Sequence, residues 1–249
     1  MLNKLQLLFR NPAKFLRLVI EHGDIRGKVN PIKRLEYKKR FSKTLADWLI
    51  YHEAEIATKQ VTWLGVPIWK NVLDLHIYQE IIFEQSPDVI VEIGSAYGGS
   101  TLYFANLCDI LDKGTVVSID LARDNYKVKH DRIIELTGNS TSEEIIQKVY
   151  EIVDGKKALV IQDGDHSKDV VLADLRNYSE LVPITGYFIV EDTINDVFNP
   201  GNGIGRIISG PMFAVEQFLE ENSKFTIDES RERYLITKNP KGYLRRIAH

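Results

Sequence analysis

Two short stretches decide the fold: ALVIQDGDH at residues 158–166, and YFIVED at residues 187–192. Each is an apolar run that ends in acids, and such a run predicts a strand buried on both faces of a sheet. Because the residues between them predict a helix, the two strands should be parallel neighbours. Their acids should then meet at one edge of the sheet, since adjacent strands lie only about 4.8 Å apart. These acids are Asp163, Asp165, Glu191 and Asp192.

Four carboxylates beside His166 predict a site for a hard cation and for proton transfer. Oxygen ligands favour Mg²⁺ or Mn²⁺ over Zn²⁺, although the imidazole could join the ligands of a softer ion. We interpret His166 as the general base, because imidazole titrates near neutral pH. The alternative is a structural histidine that only forms a hydrogen bond to a neighbouring carboxylate.

Outward from these strands, apolar runs and amphipathic segments alternate, which predicts a doubly wound α/β sheet. Additional strands are predicted at residues 89–93, 115–119 and 133–136, and two closing strands at 224–228 and 234–237. Helices are predicted at residues 66–83, 100–111, 142–153, 170–181 and 211–221. The candidate domain boundary at residues 60–67 separates an N-terminal extension, residues 1–65, from a main domain, residues 66–249.

The strand at residues 89–93 runs into a glycine-rich turn, EIGSAYGGST at residues 92–101. Glycines at a strand-to-helix turn let the backbone approach a ligand closely. Their spacing differs from the G-x-G-x-x-G pattern of dinucleotide-binding proteins. Asp120 ends the next strand, where an acid can accept hydrogen bonds from ribose hydroxyls. Together these features predict a nucleoside cofactor without a diphosphate, and S-adenosylmethionine fits.

The composition is that of an ordinary globular protein. The 249 residues are 44% hydrophobic with a formal net charge of −3, and Cys108, the single cysteine, cannot form an intrachain disulfide. No apolar stretch reaches the roughly 18 residues that a transmembrane helix needs, and the N-terminus lacks a signal-peptide pattern. We therefore expect a cytoplasmic protein, and no nucleic acid partner is indicated.

Basic residues are concentrated in the segment that ends at Leu45, where Lys and Arg greatly outnumber acids and alternate with large apolar residues. This pattern predicts either an amphipathic surface for an anionic membrane or phosphorylated substrate, or a helical arm that packs on the main domain or on a second subunit. Pro12 and Pro31 divide the segment, so neither interpretation requires one continuous helix.

The order of motifs resembles that of the cephalosporin hydroxylase family, whose members are also described as rhamnosyl O-methyltransferases. The motifs are EIGSAYGGST, SID, GNST, DGDHS, VEDT, SGPMFAVEQFL and NPKGYLRR, and the resemblance covers residues 66–246. It implies a Rossmann-like class I methyltransferase fold with a mostly parallel seven-stranded sheet. It also implies S-adenosylmethionine, a divalent metal and O-methylation of a hydroxyl on a sugar, glycolipid, polysaccharide or antibiotic-like product, and it suggests a homo-oligomer.

The resemblance assigns roles to individual residues. Those matching the cofactor site are Glu92, Gly94, Ser95, Tyr97, Gly98, Gly99, Ser100, Asp120, Asn139, Ser140 and Asp163. Glu191 and Asp192 match metal ligands, together with either Asp163 or Asp165; we favour Asp165. The acid that does not bind metal would orient cofactor or ligand, so Asp163 joins His166 as a candidate catalytic residue.

Two other functions fit the same fold: a nicotinamide-dependent oxidoreductase, and a non-catalytic scaffold that keeps the cofactor pocket. The glycine-dense stretch at residues 199–205 is either a lid over the site or a plain connection. The basic residues of the closing segment, Lys241, Arg245 and Arg246, are expected in a solvated tail or a subunit contact.

Overall fold

The structure is a computed structural model that describes residues 41–57, 59–198 and 209–249. The chain divides into two units between Ile50 and Tyr51, and the second unit, residues 51–249, contains the sheet described below. The basic segment up to residue 40 and the glycine-dense stretch at 199–205 lie outside the described residues. Within the described ranges, no helix is both long and apolar enough to cross a membrane.

The second unit alternates strands and helices. The strands are β1 (Thr62–Trp63), β2 (Val66–Pro67), β3 (Val89–Ile93), β4 (Thr115–Asp120), β5 (Ile133–Thr137), β6 (Ala158–Gln162), β7 (Tyr187–Val190), β8 (Phe225–Ile227) and β9 (Tyr243–Arg246). After a helix at Leu45–Tyr51 (α1) and a π-helical segment at His52–Ala57, the α-helices are α2 (Val72–Gln85), α3 (Gly99–Ile110), α4 (Glu143–Val153), α5 (Lys168–Tyr178), α6 (Ile194–Phe198) and α7 (Pro211–Glu221). Single 3₁₀ turns lie at Ser179–Leu181 and Glu229–Glu232.

Seven strands form one sheet in the order β5-β4-β3-β6-β7-β9-β8. The first five in this order are parallel, and β9 pairs antiparallel with both β7 and β8. Side chains alternate between the faces, so Val91 packs with α4, α5 and α7, whereas Ile90 packs with α2 and α3. The order along the sheet reverses between β3 and β6, and α/β proteins bind ligands at the carboxyl end of such a reversal.

The predicted closing strand at residues 234–237 is wrong, and β9 takes its place. Leu235 has a positive φ of 62° and is 79% exposed, so this segment turns in solvent. In β9, Tyr243 and Leu244 are fully buried. The basic residues around them had suggested a solvated tail, but Arg246 is 7% exposed because its guanidinium donates to backbone carbonyls, including that of Val182 at 2.8 Å.

The predicted helix at residues 66–83 begins later than expected. Val66 and Pro67 pair with Trp63 and Thr62 in the small β1-β2 hairpin, and α2 begins after Asn71. The side chain of Asn71 caps this helix by accepting a hydrogen bond from the amide of Leu73 at 2.9 Å. Ile68 is buried in the same core as the apolar residues of α2, but it lies in a non-helical segment. Its spacing from those residues therefore imitated an additional helical turn.

The border between the two units also lies earlier than the boundary predicted from the sequence. The second unit begins at Tyr51, so residues 51–65 belong with the sheet and its helices. His52 and Ala57 are buried, and Trp63 packs edge-on against Tyr103 of α3 with ring centroids 4.9 Å apart. These apolar contacts explain why the segment is part of the compact unit.

Candidate functional site

A cavity of about 510 Å³ opens at the carboxyl ends of β3, β4 and β6, where the strand order reverses. Its walls come from the segment before α2, the glycine turn after β3, the ends of β4 and β5, and the turns after β6 and β7, and Glu53, Val170 and Lys238 complete them. The predicted residues on these walls are Gly94, Ser95, Tyr97, Gly99, Ser100, Asp120, Asn139, Ser140, Asp163, Asp165, His166 and Asp192. The structure thus brings most of the predicted site residues into one cavity.

Gly94 allows two strand ends to touch. Its φ is +87°, a conformation that L side chains rarely adopt, and a Cβ atom there would lie 2.1 Å from the carbonyl oxygen of Asp163. The amide of Asp163 donates to the carbonyl of Ile93 at 2.7 Å, which joins the turn after β6 to the end of β3. The glycine turn and the acidic turn are therefore held against each other at the cavity floor.

Asp120 organises the glycine turn. Its Oδ2 accepts hydrogen bonds from the amides of Ser95 at 3.0 Å and Ala96 at 2.8 Å. Burial works against ionisation, but these backbone hydrogen bonds and a further one from Ala122 lower the pKa of Asp120 below its ordinary value. The carboxylate is therefore ionised at neutral pH, and it lies on the cavity wall where a ribose could reach it.

Two predicted cofactor residues lie beneath the cavity rather than on its wall. Glu92 is fully buried and accepts a hydrogen bond from the hydroxyl of Thr101, and burial raises its pKa. Gly98 precedes α3 with a φ of 86°, and a Cβ there would meet the ring of Tyr126 at 2.7 Å. Both residues support the glycine turn from behind.

Three predicted residues form a compact cluster that we call the acid cluster: Asp163, His166 and Asp192. Each offers one ligand atom, and these atoms all lie within 4.8 Å of one another. His166 Nε2 is 3.5 Å from Oδ2 of Asp192. Its other nitrogen, Nδ1, is buried without a hydrogen-bond partner in the described part of the chain. Two carboxylates and an imidazole at this spacing can hold a divalent cation.

Asp192 reaches the acid cluster through an unusual backbone conformation. Its φ is 57°, in the left-handed region, where a residue other than glycine is uncommon. The lysine at position 238 lies 2.9 Å from Oδ1 of Asp192 and 3.1 Å from Oε2 of Glu53. Although burial opposes ionisation, Lys238 and then His166 lower the pKa of Asp192. The carboxylate is thus kept charged inside the protein.

Glu191 faces a buried lysine. Its Oε1 lies 2.5 Å from Nζ of Lys70, and the same ammonium bonds Asp163. Burial, followed by repulsion from Asp163, raises the pKa of Glu191, whereas Lys70 acts in the opposite direction. The side chain of Lys70 therefore stands between Glu191 and Asp163, and Glu191 is not part of the three-residue cluster.

Asp165 has a local structural contact. Its Oδ1 accepts a hydrogen bond from the amide of Ser167 at 2.7 Å, at the start of α5, and this contact lowers its pKa. The backbone carbonyl of Asp165 accepts from Gln162 Nε2 at 2.9 Å. The sequence favoured Asp165 over Asp163 as the acid of this turn, but it is Asp163 that the structure brings together with His166 and Asp192.

Reasoning from sequence missed the two buried lysines, Lys70 and Lys238, and also Arg123. Nζ of each lysine is paired with two acids, and Arg123 Nη1 donates to Ser95 Oγ at 2.8 Å. No local signal marked Lys70, because lysine is ordinarily solvated and the neighbouring Trp69 is exposed. Lys238 follows a segment that turns in solvent, so nothing local marked it.

Comparisons with known proteins identify the family of the chain. The family model described as rhamnosyl O-methyltransferase/CmcI matches residues 55–247. A rhamnosyl O-methyltransferase of Mycobacterium bovis BCG is 30% identical over 205 residues, which cover 78% of this chain and 82% of the relative. One from Mycobacterium leprae is 30% identical over 178 residues, covering 69% of this chain and 76% of the relative.

The fold agrees as well. A solved CmcI structure whose name includes magnesium and S-adenosylmethionine superposes with a TM-score of 0.61, at 19% identity over 78% of this chain and 79% of that one. A CmcI structure named with S-adenosylhomocysteine gives 0.57, at 20% identity over 76% and 83%. The predicted α/β class I methyltransferase fold is confirmed, and so are the predicted family and the O-methyltransferase class of enzyme. The chain belongs to the rhamnosyl O-methyltransferase/CmcI family.

Proposed function

We propose that the protein transfers the methyl group of S-adenosylmethionine to a hydroxyl of a sugar, glycolipid, polysaccharide or antibiotic-like product, with the help of Mg²⁺ or Mn²⁺. One observation carries the proposal: the glycine turn with Asp120 and the acid cluster open into the same cavity. The names of the mycobacterial relatives support a sugar hydroxyl. The name of the CmcI structure supports both cofactors.

The cavity residues fit S-adenosylmethionine. Gly94 lets the turn after β6 pack directly against the glycine turn, and Asp120 holds the residues that follow Gly94 in place. In our proposal Asp120 accepts hydrogen bonds from the ribose hydroxyls. Asn139 and Ser140, on the wall beyond β5, lie beside the adenine. This arrangement would place the sulfonium near the glycine turn, between Asp120 and the acid cluster.

The acid cluster fits a divalent cation. Asp163 and Asp192 would supply carboxylate oxygens, and small side-chain movements would bring both onto one ion. Nδ1 of His166 has no hydrogen-bond partner among the described residues, and in our proposal the imidazole stays beside the ion as the base and does not bind it. Glu191 would reach the ion only after Lys70 moved away from it. Asp165, bound to the start of α5, would stay outside.

Methyl transfer needs an acceptor oxygen that is deprotonated and aligned, because the sulfonium methyl is already activated. When bound, a divalent metal supplies a Lewis acid that lowers the pKa of the acceptor hydroxyl. His166 accepts the proton at Nε2, the nitrogen beside Asp192. The charge of Asp192 stabilises the imidazolium that forms. The amide of Asp163 is bonded to the Ile93 carbonyl, so the turn that carries Asp163 is fixed against the glycine turn. This contact would keep the acceptor oxygen aligned with the methyl group of the donor.

Calorimetry and a methyl-transfer assay test this function. We expect S-adenosylhomocysteine to bind the protein, and labelled methyl to pass from S-adenosylmethionine to rhamnosides in the presence of Mg²⁺ and not of EDTA. Substitution of both Asp163 and Asp192 by Asn should abolish the effect of Mg²⁺ while S-adenosylhomocysteine still binds. If S-adenosylhomocysteine produces neither heat nor a thermal shift, the proposal is wrong. Activity that is indifferent to EDTA would remove the metal from it.

A homo-oligomer, a cytoplasmic location and a peripheral membrane contact through residues 1–45 stay predictions. Light scattering on the purified protein tests the first. Sedimentation with vesicles of neutral or anionic lipid, in low and high salt, tests the third, because a basic segment should favour anionic vesicles at low salt.

A further inference from the structure

Trp69 is a large aromatic residue that stays exposed on the wall of the cavity. Its neighbours Ile68 and Lys70 are 2% and 1% exposed, whereas Trp69 is 44% exposed. The backbone on both sides is therefore anchored, and the indole is presented to the cavity rather than packed into the core. A tryptophan that lines a cavity while its chain neighbours are buried offers a fixed aromatic surface to a ligand.

Tyr97 lies next to this indole. The two ring centroids are 5.2 Å apart and the ring planes meet at 65°, an edge-to-face arrangement. Tyr97 belongs to the glycine turn, so the pair joins two walls of the cavity. These walls are pressed together, because a Cβ on Gly99 would lie 2.2 Å from the carbonyl oxygen of Pro67. Close backbone packing therefore fixes the position of both rings.

The position of the pair relative to the acid cluster suggests what it binds. Trp69 lines the same cavity as the acid cluster, and Lys70, the next residue along the chain, contacts Asp163 of that cluster. Asp120, Asn139 and Ser140, which we assign to the cofactor, come from the ends of β4 and β5. Trp69 belongs to the part of the cavity wall formed by the segment before α2, which carries none of these cofactor groups, and Tyr97 contacts it from the glycine turn.

We propose that Trp69 and Tyr97 form an aromatic platform that binds the apolar face of a sugar ring in the acceptor. The C–H groups on one face of a pyranose carry partial positive charge and are attracted to the electron-rich face of an aromatic ring. A sugar stacked there directs its rim of hydroxyls to the sides, toward the acid cluster. This inference rests on the proposed function and specifies its acceptor as a carbohydrate that is recognised by stacking.

Ring-preserving and ring-removing variants separate stacking from general damage. Trp69→Phe keeps an aromatic face, and Trp69→Ala removes it. Phe83→Ala is a matched control, because Phe83 is an exposed aromatic residue, 64% accessible, that does not line the cavity. Each variant is saturated with S-adenosylhomocysteine and Mg²⁺. Methyl α-L-rhamnopyranoside and methyl α-D-mannopyranoside are then added, and saturation-transfer NMR detects the bound sugar while calorimetry measures the affinity for S-adenosylhomocysteine.

We expect saturation transfer to the ring protons of at least one glycoside in the wild type, in Trp69→Phe and in Phe83→Ala. In Trp69→Ala the apparent Kd for the glycoside should rise at least tenfold, with that for S-adenosylhomocysteine unchanged within twofold. The platform is refuted if neither glycoside binds the wild type, if Trp69→Ala binds sugar like the wild type, or if it loses S-adenosylhomocysteine to the same extent. A wild type that does not bind S-adenosylhomocysteine refutes the proposed function itself.

Discussion

The ammonium nitrogen of Lys70 lies 2.5 Å from Oε1 of Glu191, and it bonds the carboxylate of Asp163 with only 1% of the lysine side chain exposed. A buried lysine would ordinarily lose its proton because burial disfavours the charged form. Here the attraction of Asp163 and Glu191 outweighs burial, and the pKa of Lys70 is raised. Lys70 is therefore a permanent positive charge between two acids that would otherwise repel each other.

Lys70→Met should destabilise the metal-free protein by about 3–5 kcal/mol, because removing one partner leaves buried acids without their counter-charge. We expect Mg²⁺ to restore part of this loss, since a divalent ion can neutralise the same carboxylates. Urea unfolding with EDTA and with Mg²⁺ measures both quantities.

The control for Lys70→Met is Lys113→Met. Lys113 pairs with Asp88 at 3.1 Å on the surface, where such a pair contributes at most about 1 kcal/mol. The stability lost in Lys113→Met should be the same with and without Mg²⁺. If Mg²⁺ stabilises Lys70→Met no more than the wild type, the view of Lys70 as a counter-charge to the site acids is wrong.

His166→Ala should lower kcat by about 10²- to 10⁴-fold, the range that a positioned general base contributes. Binding of S-adenosylhomocysteine should stay unchanged, because His166 clusters with Asp163 and Asp192 and is not one of the residues that we assign to the cofactor. Initial rates at saturating acceptor measure kcat. His76→Ala, at an exposed position that pairs with Glu80, is the control and should keep full activity. A kcat for His166→Ala within a few-fold of the wild type would assign His166 a purely structural role.

Gly94→Ala should both destabilise the fold and weaken S-adenosylhomocysteine binding. The new Cβ would lie 2.1 Å from the carbonyl oxygen of Asp163, which is backbone and has little room to move. Gly65→Ala is a close control: its φ of +85° matches the +87° of Gly94, but nothing lies within 4 Å of the added atom. Gly65→Ala should therefore cost only about 1–2 kcal/mol for the left-handed conformation. Thermal unfolding measures stability, and calorimetry measures the affinity for S-adenosylhomocysteine. If Gly94→Ala and Gly65→Ala lose both to the same extent, the contact with Asp163 is unimportant.

Asp174 should make stability fall as pH rises. This acid in α5 is fully buried beside Gln162 and Ser140, and burial raises its pKa to about 7. Below about pH 4 the group is protonated in both the folded and the unfolded chain. Between pH 4 and 7 only the unfolded chain loses the proton, so the free energy of unfolding declines through this window and levels off above it.

Asp174→Asn should remove that decline, because the amide resembles the protonated acid in shape and carries no charge. At pH 8 the variant should be more stable than the wild type by up to a few kcal/mol, since one pKa unit corresponds to about 1.4 kcal/mol. Chemical unfolding from pH 4 to pH 8 measures the difference. Parallel stability curves for the two proteins would contradict this assignment.

The strands that carry the site were predictable from the sequence because their apolar runs are continuous. Four of the five parallel strands, β3, β4, β6 and β7, are buried over most of their length, whereas β5 lies at the sheet edge and is partly exposed. The acids at their ends could be placed at one sheet edge for the same reason. β9 was hidden because half of its residues are arginine. Arg246 is buried because its guanidinium donates to carbonyls that include those of Ser179, Glu180 and Val182, more than 60 residues away in the sequence.

The sequence pattern could not predict which side chains contact each other within the site. Asp163 and Asp165 are equivalent acids of one short turn, and only the turn geometry decides that one faces Lys70 and the other binds the amide of Ser167. Lysine is ordinarily solvated, so local sequence cannot reveal that Lys70 and Lys238 are enclosed by acids from distant strands. Asp192 reaches the acid cluster because its backbone is in the left-handed region, and the residue type alone does not predict this conformation.

Strand β9 follows β8 along the chain but is inserted between β7 and β8 in the sheet. During synthesis β8 therefore leaves the ribosome before β9, the strand with which it pairs. One edge of β7 also stays unpaired until residues 243–246 emerge. Open strand flanks of this kind are templates for aggregation. Translation that pauses between β8 and β9 should expose nascent chains to chaperones at this flank, which would make the yield of active protein sensitive to codon choice in this interval.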